Sequence, residues 1–224
     1  MGQVFNFINS SNPNLWRLTI KTFMLLIIDY GVGNLGSILN MFKKVGAPAM
    51  ISSRPEDIRA ADKLVLPGIG AFDNVMTQFR ASGLEHDLRK KVLEEHKPVL
   101  GICVGMQMLG NGSDEGREPG FGWLDAHCEK IPDKPGLRVP HMGWNHVTAA
   151  KPHPLTATLS DDARFYFAHS YRMVCKAQSD VLLVASHGSE IVSAVQRENF
   201  YGVQFHPEKS HRFGMELFKQ FAAL

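Results

Sequence analysis

A cysteine follows a short apolar run in residues 98–107, which read PVLGICVGMQ. Cys103 is flanked two residues on either side by Gly101 and Gly105, and a helix-compatible segment begins at Val104. This spacing is typical of a nucleophile elbow, in which a sharp strand-to-helix turn lifts one side chain clear of the sheet edge. Glycines at these positions avoid clashes where the chain doubles back. The pattern predicts a nucleophilic thiol, although a small buried core cysteine would fit these residues on their own.

A cysteine nucleophile needs a base, and the base needs an acid that orients it. His206 and Glu208 stand two residues apart at the end of an apolar segment, with Pro207 between them. A histidine at a strand end is more often structural than catalytic, but this one has a carboxylate beside it and a cysteine elbow in the same chain. These residues predict a Cys103–His206–Glu208 triad, with the backbone N–H of Val104 as an oxyanion donor.

Five separated motifs occur in an order that resembles the class I glutamine amidotransferase family. The elbow at 101–107 and the HPE segment at 206–208 carry the family resemblance. The segments DYGVGNL (29–35), PHMGWN (140–145) and YFAHSY (166–171) are similar to the glutaminase subunits of imidazole glycerol phosphate synthases. The resemblance implies a single domain with the flavodoxin-like α/β fold of that family. It also implies hydrolysis of glutamine to glutamate and ammonia, with no cofactor.

The resemblance also assigns roles to residues by their position. The loop after the third apolar segment would supply a second oxyanion donor from Gly68, Ile69 and Gly70. Arg172 would be a partner for the substrate carboxylate, because guanidinium groups bind carboxylates with paired hydrogen bonds. The other positions that match glutamine-binding residues of the family are Gln107, Glu115, His169, Ser170 and Tyr171.

A separate ammonia-consuming partner is expected, because no acceptor-substrate domain fits in this chain. The resemblance implies that the partner is a (β/α)8-barrel cyclase in a cytoplasmic heterodimer. That cyclase would make imidazole glycerol phosphate and an aminoimidazole carboxamide ribotide in histidine biosynthesis. The residues that would face it are Asn34, His141, Met142, Trp144, Asn145 and Lys209.

Composition limits the classes of protein that this chain can belong to. Its 224 residues are 44% hydrophobic and 21% charged, which fits one soluble globular domain. The net charge of +2 comes from Arg17 and Lys21, because residues 1–23 contain no acid and the remainder sums to zero. A basic footprint for nucleic acid is therefore excluded. Neither the three cysteines nor the ten histidines show metal-ligand spacing, so no metal site is expected.

The front half of the chain alternates apolar segments with helical patterns, whereas the back half is rich in strand patterns. This combination predicts an α/β domain with a central, mostly parallel sheet and added antiparallel strands. The predicted strands outside the elbow are 24–29, 49–51, 63–66, 123–130, 144–148, 164–169, 181–187, 191–196 and 200–205. The predicted helices are 73–80, 84–96, 104–109 and 210–224.

Residues 1–23 are expected to be a loosely held extension, because the family resemblance begins at Met24. Their turn-rich cluster NSSNPN is not followed by the apolar region of a signal peptide. The alternative hypothesis is that Met24 is the natural start. In either case the amidotransferase domain is predicted to span residues 24–224.

A glycine pattern at residues 31–36 matches the GxGxxG fingerprint of dinucleotide-binding proteins. That fingerprint also requires an acid at the end of the second strand, where this chain has Arg54. Arg54 would suit a phosphorylated ribose, but the chain has no room for a separate hydride-acceptor domain. The dinucleotide interpretation is therefore not favoured.

Three alternatives to the triad glutaminase of histidine biosynthesis stay open at this point. The same glutaminase chemistry would serve a synthase that amidates a surface-polysaccharide sugar. A cysteine-elbow α/β-hydrolase would place its acid before the histidine, with Asp161, Asp162 or Asp180 available. A flavodoxin-like binding module would not use Cys103 in any turnover.

Overall fold

The computed structural model describes residues 23–224, so the predicted extension lies outside the described residues except for its last one, Phe23. Strands β1 to β12 of the described residues are Leu25–Ile28, Ala49–Ser52, Lys63–Gly68, Val99–Cys103, Ala126–Lys130, His141–His146, Thr148–Ala149, Arg164–His169, Tyr171–Cys175, Val181–Ser186, Glu190–Arg197 and Phe200–Val203. Helices α1 to α6 are Leu35–Lys44, Pro55–Ala60, Phe72–Ala81, Glu85–Arg89, Val104–Gln107 and His211–Ala223.

Eight strands form one sheet in the order β2-β1-β3-β4-β12-β11-β10-β7. The neighbours from β2 to β12 pair in parallel, whereas β11, β10 and β7 add antiparallel pairs at the other side. Two smaller antiparallel sheets pair β5 with β9 and β6 with β8. The predicted α/β fold with a parallel centre and added antiparallel strands is confirmed.

The core lies on both faces of the parallel half of the sheet. The side chains of β1 and β4 are buried along their full length, as expected for strands covered by helices on both faces. The predicted C-terminal helix is confirmed as α6, and its Phe218 packs against Phe42 of α1 with ring centroids 4.5 Å apart. Lys63 donates a 2.6 Å hydrogen bond to the Ala222 carbonyl, which satisfies the last turn of α6.

The strand register brings the predicted catalytic segments together at one edge of the sheet. In the parallel pair β3–β4, Gly68 lies opposite Cys103. In the parallel pair β4–β12, Val203 lies opposite Ile102, so the segment that follows β12 runs beside the elbow. The carboxyl ends of parallel strands meet at one edge, which is where open α/β sheets bind their ligands.

Some boundaries differ from the sequence prediction for local reasons. The single helix predicted over 84–96 is α4 followed by a π-helical turn, Lys90–Glu94. β9 was not predicted, because a single residue, Ser170, separates it from β8.

None of the helices in residues 23–224 is long and apolar enough to cross a membrane.

Candidate active site

Cys103 lies in a strained turn between β4 and α5, with φ of 56° and ψ of −112°. Glycines make this turn possible by close backbone approach. A Cβ on Gly101 would lie 2.4 Å from the Gly105 carbonyl oxygen, and a Cβ on Gly105 would lie 1.9 Å from the Leu66 carbonyl oxygen. A non-glycine residue at positive φ costs free energy and persists where the surrounding structure holds it. The surroundings therefore hold the cysteine side chain in a fixed direction.

His206 and Glu208 form a buried pair beside this elbow. The distance from His206 Nδ1 to Glu208 Oε1 is 2.9 Å, and the two side chains are 5% and 2% exposed. The Nδ1–H group of His206 donates to the Glu208 carboxylate. Nε2 is therefore the nitrogen left for the hydrogen bond between His206 and Cys103. Burial lowers the pKa of His206, but the hydrogen bonds and charges of Cys103 and Glu208 outweigh it and raise this pKa to about 9. The arrangement favours the imidazolium form of His206.

The carboxylate that contacts His206 follows it in the chain, unlike the acid of an α/β-hydrolase. Asp162, one candidate for that acid, is exposed and forms an ion pair with Arg212 at 2.6 Å. The order of triad residues is therefore cysteine, histidine, glutamate. This order does not favour the α/β-hydrolase alternative.

A cavity of about 410 Å³ opens over Cys103 and His206. It collects most of the residues predicted for the oxyanion and substrate sites. The cavity is lined by Ile69, Gly70, Cys103, Val104, Gln107, Glu115, Pro140, Met142, Ala168, His169, Ser170, Tyr171, His206 and Lys209. Val104 is the first residue of α5, so its backbone N–H has no acceptor within that helix.

Gly68 lies beneath the cavity rather than in its wall. A Cβ on Gly68 would lie 2.5 Å from the Gly105 nitrogen, so the end of β3 packs directly on the start of α5. The next residues leave the sheet, with Ile69 exposed and Gly70 at a φ of 96°. The predicted oxyanion loop therefore begins in tight packing and ends in an open turn at the cavity.

The glycine pattern at 31–36 packs against the start of this loop. The Tyr30 hydroxyl donates to the Pro67 carbonyl, and a Cβ on Gly33 would lie 2.9 Å from Pro67 Cβ. Gly33 also has a φ of 111°, which favours glycine. These packing roles account for glycine at this position without a dinucleotide.

Two buried glutamines connect the elbow to the opposite wall of the cavity. Gln107 Nε2 donates to Gln204 Oε1 at 3.0 Å and to the Tyr171 carbonyl at 3.4 Å. Gln204 Nε2 in turn donates to Cys103 Sγ at 3.8 Å. Sequence reasoning missed Gln204, although its position two residues before His206 on an apolar strand end was a usable signal.

Two buried histidines support the wall formed by β8 and β9. His169 Nδ1 lies 2.8 Å from the Tyr171 carbonyl, which can only accept, so this nitrogen carries the proton. His169 Nε2 therefore accepts from His141 Nδ1 at 3.0 Å, and His141 Nε2 accepts from Asn145 Nδ2 at 3.1 Å. Burial and the neighbouring histidines, with His206 also facing His169, lower the pKa of His141 to about 3 and that of His169 to about 4. Both rings are neutral.

The residues predicted to face a partner divide into surface and interior positions. Met142 is 64% exposed, Trp144 is 44% exposed, and Asn34 and Lys209 are also exposed. Trp144 stacks on His211 outside the cavity, with ring centroids 5.4 Å apart. His141, in contrast, is only 4% exposed, and Asn145 is half-buried and bonded to it. The interior position of His141 corrects the expectation that this side chain forms a contact surface.

Two substrate-binding expectations change in the structure. The prediction that Arg172 meets the substrate carboxylate is wrong, because its guanidinium points away from the cavity to Ser189 at 3.1 Å and Glu129 at 3.8 Å. Alternation along β9 causes this, since Tyr171 lines the cavity and the next residue faces the other side. Glu115 lines the cavity, but its Oε2 accepts from the Phe72 N–H at 2.8 Å. Only its second oxygen is left for a ligand.

The remaining cysteines differ from Cys103 in environment. Burial raises the pKa of Cys128 far above its usual range and that of Cys175 to about 11. Both thiols are free and are poor nucleophiles in such surroundings. Within residues 23–224, no group of three or more histidine, cysteine or acidic side chains could hold a metal ion.

Comparison with known proteins agrees with this geometry. The family model described as glutamine amidotransferase class-I matches residues 26–223, which is most of the chain. The chain belongs to the class-I glutamine amidotransferases. This assignment confirms the family predicted from the elbow and the HPE segment.

Relatives of this amidotransferase share the name of one enzyme subunit. The protein named imidazole glycerol phosphate synthase subunit HisH 2 from Pseudomonas aeruginosa is 51% identical over 201 residues, which cover 90% of this chain and 100% of that protein. The protein of the same name from Methanococcus maripaludis is 48% identical over 198 residues, which cover 88% of this chain and 98% of that protein. Imidazole glycerol phosphate synthase subunit HisH of Bdellovibrio bacteriovorus is 44% identical over 204 residues, which cover 90% of this chain and 100% of that protein.

Solved structures with the same fold are more distant in sequence. The putative GMP synthase subunit from Thermoplasma acidophilum has a TM-score of 0.67 and 18% identity, covering 90% of this chain and 92% of that chain. The structure of PurLQS from Thermotoga maritima has a TM-score of 0.66 and 18% identity, covering 89% of this chain and 97% of that chain. These similarities support the amidotransferase fold and carry no further argument.

Proposed function

We propose that this chain is the glutaminase subunit of an imidazole glycerol phosphate synthase. It hydrolyses glutamine to glutamate and ammonia, and a second subunit uses the ammonia in histidine biosynthesis. The observation that carries the proposal is the pair His206–Glu208 at 2.9 Å beside the strained Cys103, within one cavity. The relatives named as this subunit, at 44% to 51% identity over about nine-tenths of the chain, support the choice of synthase.

The first half of the proposed reaction is attack on the side-chain amide of glutamine. The thiolate of Cys103 forms a bond to the amide carbon, and the carbonyl electron pair moves to oxygen. The backbone N–H of Val104 and a donor from the Gly68–Gly70 loop would bind that oxyanion. When the intermediate collapses, the C–N bond breaks, and His206 gives its proton to the leaving nitrogen. The products of this half are ammonia and a thioester on Cys103.

The second half of the reaction is hydrolysis of the thioester. Neutral His206 takes a proton from a water molecule, whose oxygen attacks the thioester carbonyl. The C–S bond then breaks, which releases glutamate and restores the thiolate beside an imidazolium. Glu208 keeps the ring of His206 oriented and compensates its charge in both halves.

The ammonia is proposed to pass directly to the partner subunit. Ammonia is largely protonated in neutral water, and ammonium is a poor nucleophile, so a shielded route would preserve its reactivity. Met142 and Lys209 line the cavity and are also exposed, so they lie at its mouth, and Trp144 extends the same surface. A (β/α)8-barrel cyclase seated on this surface would receive the ammonia and complete a heterodimer.

Glutamate release from glutamine tests this function. The full chain is assayed alone and with a candidate cyclase partner that carries its ribotide ligand. We expect release to rise sharply with the liganded partner, and Cys103→Ala to abolish it, with a loss of at least about 10³-fold. Cys175→Ala is the matched control, because this thiol lies outside the cavity, and it should retain activity.

Two results would contradict the proposal in different ways. Release that depends on Cys103 but ignores this partner would keep the glutaminase and assign it to another synthase. The absence of release under every condition would overturn the proposed chemistry.

A further inference from the structure

Gln204 is a fully buried polar side chain that the triad mechanism does not use. It follows β12, and its backbone N–H donates to the Ser193 carbonyl of β11 at 2.9 Å, which fixes the backbone. Its side chain lies between two site residues, with Nε2 at 3.8 Å from Cys103 Sγ and Oε1 at 3.0 Å from Gln107 Nε2. Burying an amide is costly unless its groups are hydrogen-bonded, and both ends of this amide have partners.

The orientation of both amides follows from acceptors that cannot donate. The Tyr171 carbonyl can only accept, so the Gln107 atom facing it is the NH2 group. That same NH2 group faces Gln204, so the Gln204 atom there must be its carbonyl oxygen. The other end of the Gln204 amide, its NH2 group, then faces the sulfur of Cys103. His169 fixes the start of this series by donating to the Tyr171 carbonyl.

We propose that Gln204 is a positioning residue for glutamine hydrolysis, holding the sulfur of Cys103 with its N–H and orienting Gln107 with its carbonyl. This inference rests on the proposed function. Hydrogen bonding to the charged form of a group favours that form, so the Gln204 N–H stabilises a thiolate over a thiol. His206 contacts the same sulfur through its imidazole. Two donors therefore hold the nucleophile in the direction set by the elbow.

The second task of Gln204 concerns the atom that Gln107 offers to the substrate. The NH2 group of Gln107 is used by Gln204 and Tyr171, which leaves its carbonyl oxygen for the cavity that it lines. That oxygen accepts and cannot donate, so it selects a substrate that presents an N–H group there. Without Gln204, the Gln107 amide could rotate so that its NH2 group and its oxygen exchange places, and the site would lose this selectivity.

The test measures the thiolate of Cys103 without requiring glutamine hydrolysis. The full chain is treated with iodoacetamide from pH 5 to 10, and alkylation of the Cys103 peptide is timed by mass spectrometry. Gln204→Met keeps the length of the side chain and removes its hydrogen bonds. The control is Ser193→Ala, because Ser193 is equally buried on β11 and its hydroxyl bonds the Ile191 carbonyl.

The charged and titratable groups that face this sulfur stay in place in both variants. His206 contacts it, Glu208 lies behind His206, and His169, Glu115 and Lys209 line the same cavity. We expect Gln204→Met to shift the alkylation profile upward by about one pH unit, with roughly tenfold slower alkylation below the transition. We expect Ser193→Ala to leave the profile where it is.

An unchanged profile in Gln204→Met would overturn the inference. Equal shifts in Gln204→Met and Ser193→Ala would also overturn it, because general disturbance of the strand end would then be the cause. If Gln204→Met does not fold, Gln107→Met tests the next link, and an unshifted profile there would overturn the inference. In complexes that hydrolyse glutamine, Gln204→Met should also raise KM severalfold. Failure of glutamine hydrolysis in the unmodified complex would instead count against the proposed function.

Discussion

Two buried histidine sites on different sides of one cavity favour different charge states, one charged and one neutral. On the elbow side, His206 has a pKa raised to about 9, whereas on the β8–β9 side His169 and His141 have pKa values lowered to about 4 and 3. All three rings are nearly inaccessible to solvent. Burial lowers the pKa of each, so burial does not explain the difference.

The groups that contact each ring explain the difference in pKa. His206 contacts a carboxylate and a thiol that can ionise, and both favour the imidazolium. His169 and His141 contact a backbone carbonyl, an amide and each other, none of which carries a negative charge. One site can therefore hold and move a proton, and the other is a neutral framework that fixes the cavity wall.

The largest expected effect comes from removing the charge behind His206. Glu208→Gln keeps the size of the side chain but withdraws the carboxylate that favours the imidazolium. We expect kcat for glutamine hydrolysis to fall by about 10²-fold or more, because proton transfer to the leaving nitrogen needs a charged, oriented ring. Steady-state glutamate release in the complex measures this.

Asp162→Asn is the matched control for that variant. Asp162 is exposed and paired with Arg212, away from His206, so we expect activity within about twofold of the unmodified chain. Loss of activity in Asp162→Asn with retention in Glu208→Gln would reverse the assignment of the acid.

A smaller effect is expected on the neutral side. His141→Phe keeps the ring stacked on Phe167 but removes the donor to His169 Nε2. We expect the free energy of unfolding to fall by about 1–2 kcal/mol. We also expect KM for glutamine to rise severalfold with little change in kcat, because His169, which donates to the Tyr171 carbonyl, is no longer held by His141, while the triad is untouched.

His187→Phe separates stacking from hydrogen bonding in that experiment. His187 stacks on the other face of His141 at 4.1 Å, and its own hydrogen bond goes to the Arg138 carbonyl. We expect its KM to stay near that of the unmodified chain. A fall in kcat for His141→Phe as large as that for Glu208→Gln would contradict a purely supporting role.

The last expected effect is the acid dependence of stability. Between pH 6.5 and about 4 the unfolded chain protonates His169 and His141, whereas the folded chain does not, so their contribution is present above pH 6.5 and lost as pH falls. His206, whose pKa is raised, contributes stability that is fully present below pH 6.5 and lost as pH rises toward 9, and this contribution cancels in the comparison because His141→Phe keeps His206. The cost of His141→Phe in urea unfolding should therefore be smaller at pH 4.5 than at pH 7.5.

An exposed histidine provides the control for this pH dependence. His86→Gln changes a surface side chain of α4, and its cost should be the same at both pH values. An equal cost of His141→Phe at pH 4.5 and pH 7.5 would show that the buried ring is protonated at pH 4.5 in the folded chain, which would contradict its lowered pKa.

The parallel half of the fold could be predicted from sequence because its signals are local. A continuous apolar strand, a glycine-flanked cysteine and a following helical segment determine the elbow within residues 98–107. The same holds for His206 and Glu208, which stand two residues apart and contact each other directly. Short sequence separation made these contacts visible in the pattern.

The opposite wall depends on contacts that no local pattern reveals. His141 is hydrogen-bonded to His169, and Gln107 to Gln204, across 28 and 97 residues of sequence. The direction of Arg172 likewise depends on the unpredicted strand β9. Pairing between distant strands decided whether these side chains face the cavity, the interior or the surface.

The charge states of the two histidine sites can be observed directly by 15N NMR of the imidazole rings. The full chain, labelled at histidine and held at pH 7.5, is compared with His206→Gln for assignment. We expect His206 to carry protons on both ring nitrogens, and His169 and His141 to be neutral with the proton on Nδ1. A neutral His206, or a charged His169, would contradict the conclusion that partners rather than burial set the chemistry of this cavity.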